Sequence, residues 1–272
     1  MGIVYGIGGW VFTQSEYGHS PYNFPEDFTF HYRGGFLEIA YVFYGGRVDS
    51  EVGLLIFIDG IVQPYFVGDY IEESDFEYMH IFNVIADSEQ VVSLNILPTV
   101  GEVGDYLQLN FVCIGFPLIQ DISMLDLQSM STTFSWTLLF LEDRAIAPIS
   151  LSKTEISSVG IFDIVGAEFN ESGSSFHKEI NQNDRKIRFI ASSNEGLYRV
   201  TLFANNSPIV IDGNKNHFNI YINNNEKITY EFEINVQNDQ KTLYAIIVRL
   251  SGYVYDYQLD VFKTNSEALT AI

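Results

Sequence analysis

A single cysteine, Cys113, in 272 residues excludes an intrachain disulfide and with it a disulfide-stapled secreted scaffold. Cys113 lies in an apolar run, the place of a buried small side chain rather than a nucleophile. No stretch approaches 18 apolar residues, so no membrane-spanning helix and no membrane insertion are expected. Residues 1–150 contain no lysine; Arg33, Arg47 and Arg144 stand against 20 acidic residues there. Such a half repels phosphates at moderate salt, which argues against nucleic acid and anionic membranes as partners. No histidine among His19, His31, His80, His177 and His217 has a second histidine or a cysteine at ligand spacing, and no Gly-x-Ser-x-Gly elbow occurs. No carboxylate pair stands out as a glycosidase dyad. The reading is non-enzymatic, with no catalytic and no metal residues. The N-terminus lacks a positively charged n-region, so folding in a cytoplasm without a signal peptide is expected.

What the chain does have is aromatic and β-branched sequence. Aromatics make up 15% and charged residues only 18%, a balance that suits sheets and implies surface covered by other subunits. The organising stretch is Gly53–Gly68. Two apolar runs, Leu54–Ile58 and Ile61–Val67, flank Asp59-Gly60, a strong signal for a type I′ hairpin. The first run does not alternate, so burial on both faces or an oligomer contact is expected. Pro64 places the second strand at an edge or a bulge.

The pattern recurs. Arg199–Gly213 also runs strand, tight turn, proline, strand, with Asn205-Asn206 in the place of Asp59-Gly60 and Pro208 in that of Pro64. His80–Ile85 with Val91–Ile96 resembles Asn219–Ile222 with Ile228–Ile234, and Tyr106–Ile114 resembles Thr242–Val248. The order of elements is shared although few identities are, which suggests a duplication; two unrelated antiparallel meanders would look much the same. Residues 151–272 hold 15 acidic against 11 basic residues, a shift that supports a boundary near 150. The fold expected is all-β: two tandem antiparallel β-sandwich, jelly-roll-like domains. An N-terminal arm would cover 1–20, an assembly domain 21–150, and an exposed domain 151–272. The glycine-rich Met1–Trp10 reads either as an arm ordering against a neighbour or as a first strand of its own domain. Phe134–Leu141 fits either domain.

The candidate assembly surface is Leu54, Leu55, Ile56, Phe57 and Ile58 with Trp10. Tyr253, Tyr255 and Tyr257 alternate along a strand and form one aromatic face, suited to sheet packing, to a subunit interface, or to stacking on the sugar rings of a cell-surface glycan. The acidic loop Asp69, Glu72, Glu73, Asp75, Glu77 could hold Ca2+ through carboxylates, though it lacks a Ca2+ loop's spacing and glycine; no other cofactor is indicated.

With its Leu54–Pro64 run, two β-domains, acidity and glycine-rich arm, the chain resembles virion proteins of tailed bacteriophages. The likeness is to accessory, head-fibre, decoration or tail-adaptor subunits. It implies a structural subunit forming a homo-oligomer, with other virion proteins as partners, on the outer surface of the particle. A glycan-binding module is the alternative reading, and both would be true of a host-attachment protein.

Overall fold

The structure is a computed structural model that describes residues 7–14, 29–68, 76–115, 131–144, 164–170, 173–176, 186–191, 196–204, 207–210, 215–223, 228–233, 242–250, 261–263 and 267–268. Among these every regular element is a β-strand. The first compact unit contains β1 (Ile7–Gln14), β2 (Thr29–Tyr32), β3 (Leu37–Gly45), β4 (Ser50–Ile58), β5 (Ile61–Val62), β6 (Tyr65–Val67), β7 (Met79–Val84), β8 (Glu89–Ile96), β9 (Tyr106–Gly115) and β10 (Ser131–Phe140). The second contains β11 (Ile164–Asn170), β12 (Gly173–Phe176), β13 (Lys186–Ala191), β14 (Gly196–Ala204), β15 (Ser207–Pro208), β16 (His217–Ile222), β17 (Ile228–Glu233), β18 (Thr242–Arg249), β19 (Val261–Lys263) and β20 (Glu267–Ala268).

In the first unit one sheet has the order β1-β3-β8-β6 and the other β2-β10-β9-β4-β5, with β7 also on β4. The second unit repeats the division as β12-β11-β13-β17 and β15-β14-β18-β19, with β16 on β14 and β20 on β18. Pairing is antiparallel except for β2 with β10 and β11 with β13. Alternation explains the core of the first unit. Leu37, Ile39, Tyr41 and Phe43 of β3 face Leu54, Ile56 and Ile58 of β4 and Leu109, Phe111 and Cys113 of β9 in one buried cluster. Burying each large side chain contributes about 1.5–3 kcal/mol.

The opening hairpin forms as its residues dictate. Asp59 and Gly60 both take positive φ, 49° and 72°, the requirement of a type I′ turn. Pro64 marks a change of sheet: β5 pairs with β4, and after Gln63-Pro64 the chain crosses to pair β6 with β8. A residue without an N–H suits the point where the ladder is abandoned. Gln63 is buried there, its Oε1 accepting from Thr99 N at 2.7 Å and its Nε2 donating to Ile61 O at 2.6 Å.

Two alternatives left open by the sequence are decided. Residues 7–14, assigned to an arm, form an edge strand antiparallel to β3, with Trp10 in register with Val42. Phe134–Phe140 lies in β10 between β9 and β2, inside the first unit.

The resemblance between the halves extends to strand register. In the first unit Phe57 pairs with Val62 and Asn110, and Leu55 with Met79 and Val112. In the second, Phe203 pairs with Pro208 and Tyr244, and Thr201 with His217 and Ile246. Setting Phe57 on Phe203 therefore brings β5, β7 and β9 onto β15, β16 and β18 residue by residue. The edge matches as well: Val112 pairs with Thr133 of β10, and Ile246 with Lys263 of β19. Even the contact after the turn recurs, Gln63 N to Ile56 O and Ile209 N to Leu202 O, each at 2.8 Å. The proline does not match as the sequence suggested: Pro208 occupies the place of Val62, two residues before Pro64.

Candidate interaction surface

Leu54, Leu55, Ile56, Phe57 and Ile58 are each 0% exposed. Leu54, Ile56 and Ile58 belong to the core cluster, and Leu55 and Phe57 on the opposite face are equally covered. Of the two readings of this run, burial on both faces describes it. An oligomer contact does not, because none of its side chains is left for a second copy to touch. Trp10 stands in β1, opposite Val42. Tyr253, Tyr255 and Tyr257 lie outside the described residues, and so do Asp69, Glu72, Glu73 and Asp75. Glu77 is described: its carboxylate pairs with the His80 ring, and its backbone bridges Tyr65. Among the described residues no group of three metal-ligating side chains occurs.

Cys113 is buried, with the Tyr41 hydroxyl 2.8 Å from its Sγ. Burial pushes the thiol up to about 12 and the Tyr41 phenol well above its usual value. Burial likewise raises Tyr65, whose hydroxyl donates to Leu54 O at 2.6 Å and accepts from His80 N at 2.9 Å. A thiol held neutral is a poor nucleophile. The folded chain is expected to resist alkylation at mildly alkaline pH and to take up one equivalent of reagent once denatured. The same shift makes stability fall as pH rises from the thiol's ordinary value of 9.0 towards 12, since the unfolded chain sheds the proton while the folded chain keeps it. A thermal-melting series across that range checks it. A flat profile would contradict the burial described.

The surface the sequence did not single out lies where two turns meet. The β3–β4 turn and the β7–β8 turn are clasped by backbone and side-chain bonds. Gly45 N donates to Ser88 O and Asp87 N to Gly46 O, both at 2.8 Å. Ala86 N donates to Asp49 Oδ1 and the Ser88 hydroxyl to Ile85 O, both at 2.7 Å. The approach is so close that a Cβ on Gly45 would stand 1.8 Å from Ile85 O. Two large apolar side chains nonetheless point outward from this end, Val48 at 48% and Ile85 at 55% exposure. Asp49, Glu51, Asp87 and Glu89 are exposed around them, with Arg47 the cation beside them. The corresponding connections of the second unit read Ser192-Ser193-Asn194-Glu195 and Asn223-Asn224-Asn225-Glu226-Lys227. They contain no apolar residue, so the topology does not itself require one at these turns. That contrast, apolar residues inside turn-like sequence, was the available signal.

No protein-family model and no curated protein matches the chain. Among solved structures it is similar to the Salmonella enterica SafA pilin in complex with the SafB chaperone, at 9% identity, 100% of this chain, 99% of that chain and a TM-score of 0.29. It is also similar to the E. coli chaperone DraB, at 8% identity, 98% of this chain, 99% of that chain and a TM-score of 0.29. A third likeness, to the Pseudomonas aeruginosa CupB2 chaperone, has 11% identity, 90% and 98% coverage and a TM-score of 0.23. TM-scores this low carry no argument.

Proposed function

We propose that this chain is a non-enzymatic structural subunit of a tailed-bacteriophage virion, assembling as a symmetric oligomer on the outer surface of the particle as a decoration, head-fibre or tail component. The observation that carries the assembly part is the clasped end of the first unit. Its backbone is tied down, yet it presents Val48 and Ile85 to solvent inside an acidic rim. A rigid surface holds its side chains in place before contact, so less entropy is lost on docking. Apolar side chains grouped at such a surface favour a partner that covers them. The virion part rests on the sequence resemblance. The outer placement rests on the charge of −21, which disfavours contact with packaged DNA.

Native mass measurement of the purified chain from nanomolar to high micromolar concentration tests the reading. Oligomers of one defined number, weakened by Val48→Ser with Ile85→Ser, are expected. A monomer throughout that range would contradict it.

A further inference from the structure

The register match between the units allows the two copies of one surface to be compared position by position. On β4 the side chains of Val52, Leu54 and Ile56 enter the core, so Glu51 and Gly53 lie on the other face. On β14 the core residues are Tyr198, Val200 and Leu202, so Leu197 and Arg199 lie on that face. Asn83 of β7 is in register with Glu51, and Tyr221 of β16 with Leu197. The same place on the same sheet is thus Glu51 with Asn83 in one unit and Leu197 with Tyr221 in the other. One pair further along, Gly53 with Ile81 is replaced by Arg199 with Asn219. Before β7 and β16 the substitution is Glu77 by Lys215, each one residue ahead of a bend.

The duplicated face has therefore changed sign. In the first unit it carries Glu51 and continues into the acidic rim of the clasp, with Val48 and Ile85 exposed. In the second it carries Arg199, whose Nε donates to Asn219 Oδ1 at 3.0 Å, exposed Lys215, and Tyr221 at 50% exposure. The cations act together locally: after burial, Arg199 and Lys215 are what hold the His217 pKa down.

We infer that the acidic, apolar edge formed by β4, β7 and the clasp in one copy docks on the cationic, aromatic edge formed by β14 and β16 in a second copy. The occupant is another copy because the complement of this surface stands in the same chain. A partner of like sign would meet repulsion at either edge. Tyrosine and the stem of an arginine are the side chains most often found anchoring such contacts. The contact is heterologous, each copy using one edge as donor and the other as acceptor, so it propagates until a ring closes or a filament grows. This rests on the assembly reading above and names the surfaces that carry it.

Sedimentation of the full chain carrying Glu51→Lys, Lys215→Glu, or both tests the inference. Each single change should weaken association about tenfold, and the double change should recover most of the loss by restoring opposite signs. The two side chains are exposed, and thermal melting will show whether each variant folds. A second measurement needs no charge change. Differently tagged chains carrying Asn83→Cys and Asn223→Cys are mixed and treated with a short bis-maleimide, Cys113 being buried. Crosslinks between unlike tags are expected, and links confined to like tags would overturn the inference. Single variants that associate as the unchanged protein does, or a double variant weaker than either single, would overturn it while leaving assembly standing. An unchanged protein that never associates would overturn both.

Discussion

Ile56→Ala is expected to cost about 2–5 kcal/mol of folding stability, the range for truncating a large aliphatic side chain in a packed core. Ile56 is 0% exposed and sits between the two sheets of the first unit, among Tyr41, Phe111 and their neighbours. β4 is held on both sides, by β9 and by β7, so its backbone has little freedom to collapse into the void. The cost should therefore fall in the upper part of the range. The experiment also separates two roles for the Leu54–Ile58 run. A core residue lowers the denaturation midpoint at every protein concentration. An assembly residue would leave the dilute chain's stability alone and shift only the oligomer equilibrium. Urea denaturation at two widely separated concentrations distinguishes them, and an unchanged midpoint in the dilute sample would contradict the packing described.

Gly45→Ala should be nearly as damaging, at about 3 kcal/mol, although it adds a single carbon. The new Cβ would fall 1.8 Å from the Ile85 carbonyl oxygen and 2.8 Å from its carbon. These are backbone atoms, so no side chain can swing aside. One turn must move, and the bonds from Gly45 to Ser88 and from Asp87 to Gly46 are lost with it. Overpacking of a closed site typically costs 1–3 kcal/mol, and broken hydrogen bonds add to it. By contrast Gly35→Ala meets open space, and its cost is confined to the positive φ of 67°. Paired melting curves should place Gly45→Ala well below Gly35→Ala. Equal curves would mean that the two turns are not clasped.

The parts of the fold set by local chemistry were legible in the residues. Asp59-Gly60 between β-formers specified its turn, whereas the unalternating Leu54–Ile58 run marked a covered strand without deciding between its own fold and a second copy as the cover. The apolar surroundings of Cys113 indicated a buried thiol. Long-range consequences were not legible. Pro64 announced an interruption, but whether the chain would bulge or change sheets depended on where β8 lay. Pro208 looked like its equivalent because prolines are conspicuous, while register, which follows pairing and not spacing, puts Val62 there. Duplication could be suspected from element order, yet few identities survive, so only the pairings of β4 and β14 with their neighbours align the halves. The exposed pair Val48 and Ile85 escaped notice because each is a lone apolar residue in its own turn. They become one surface only when Gly45 and Gly46 bring the two turns together.

Hydrogen–deuterium exchange on the intact chain, measured dilute and concentrated, tests the central claim most directly. Slow exchange through Leu54–Ile58 at both concentrations is expected, because that run is covered by its own fold. Protection that grows with concentration should be confined to the clasp, residues 46–49 and 85–88, and to the β16 edge. If the Leu54–Ile58 amides instead exchange freely when dilute and become protected on association, those strands are the assembly surface and the account is wrong.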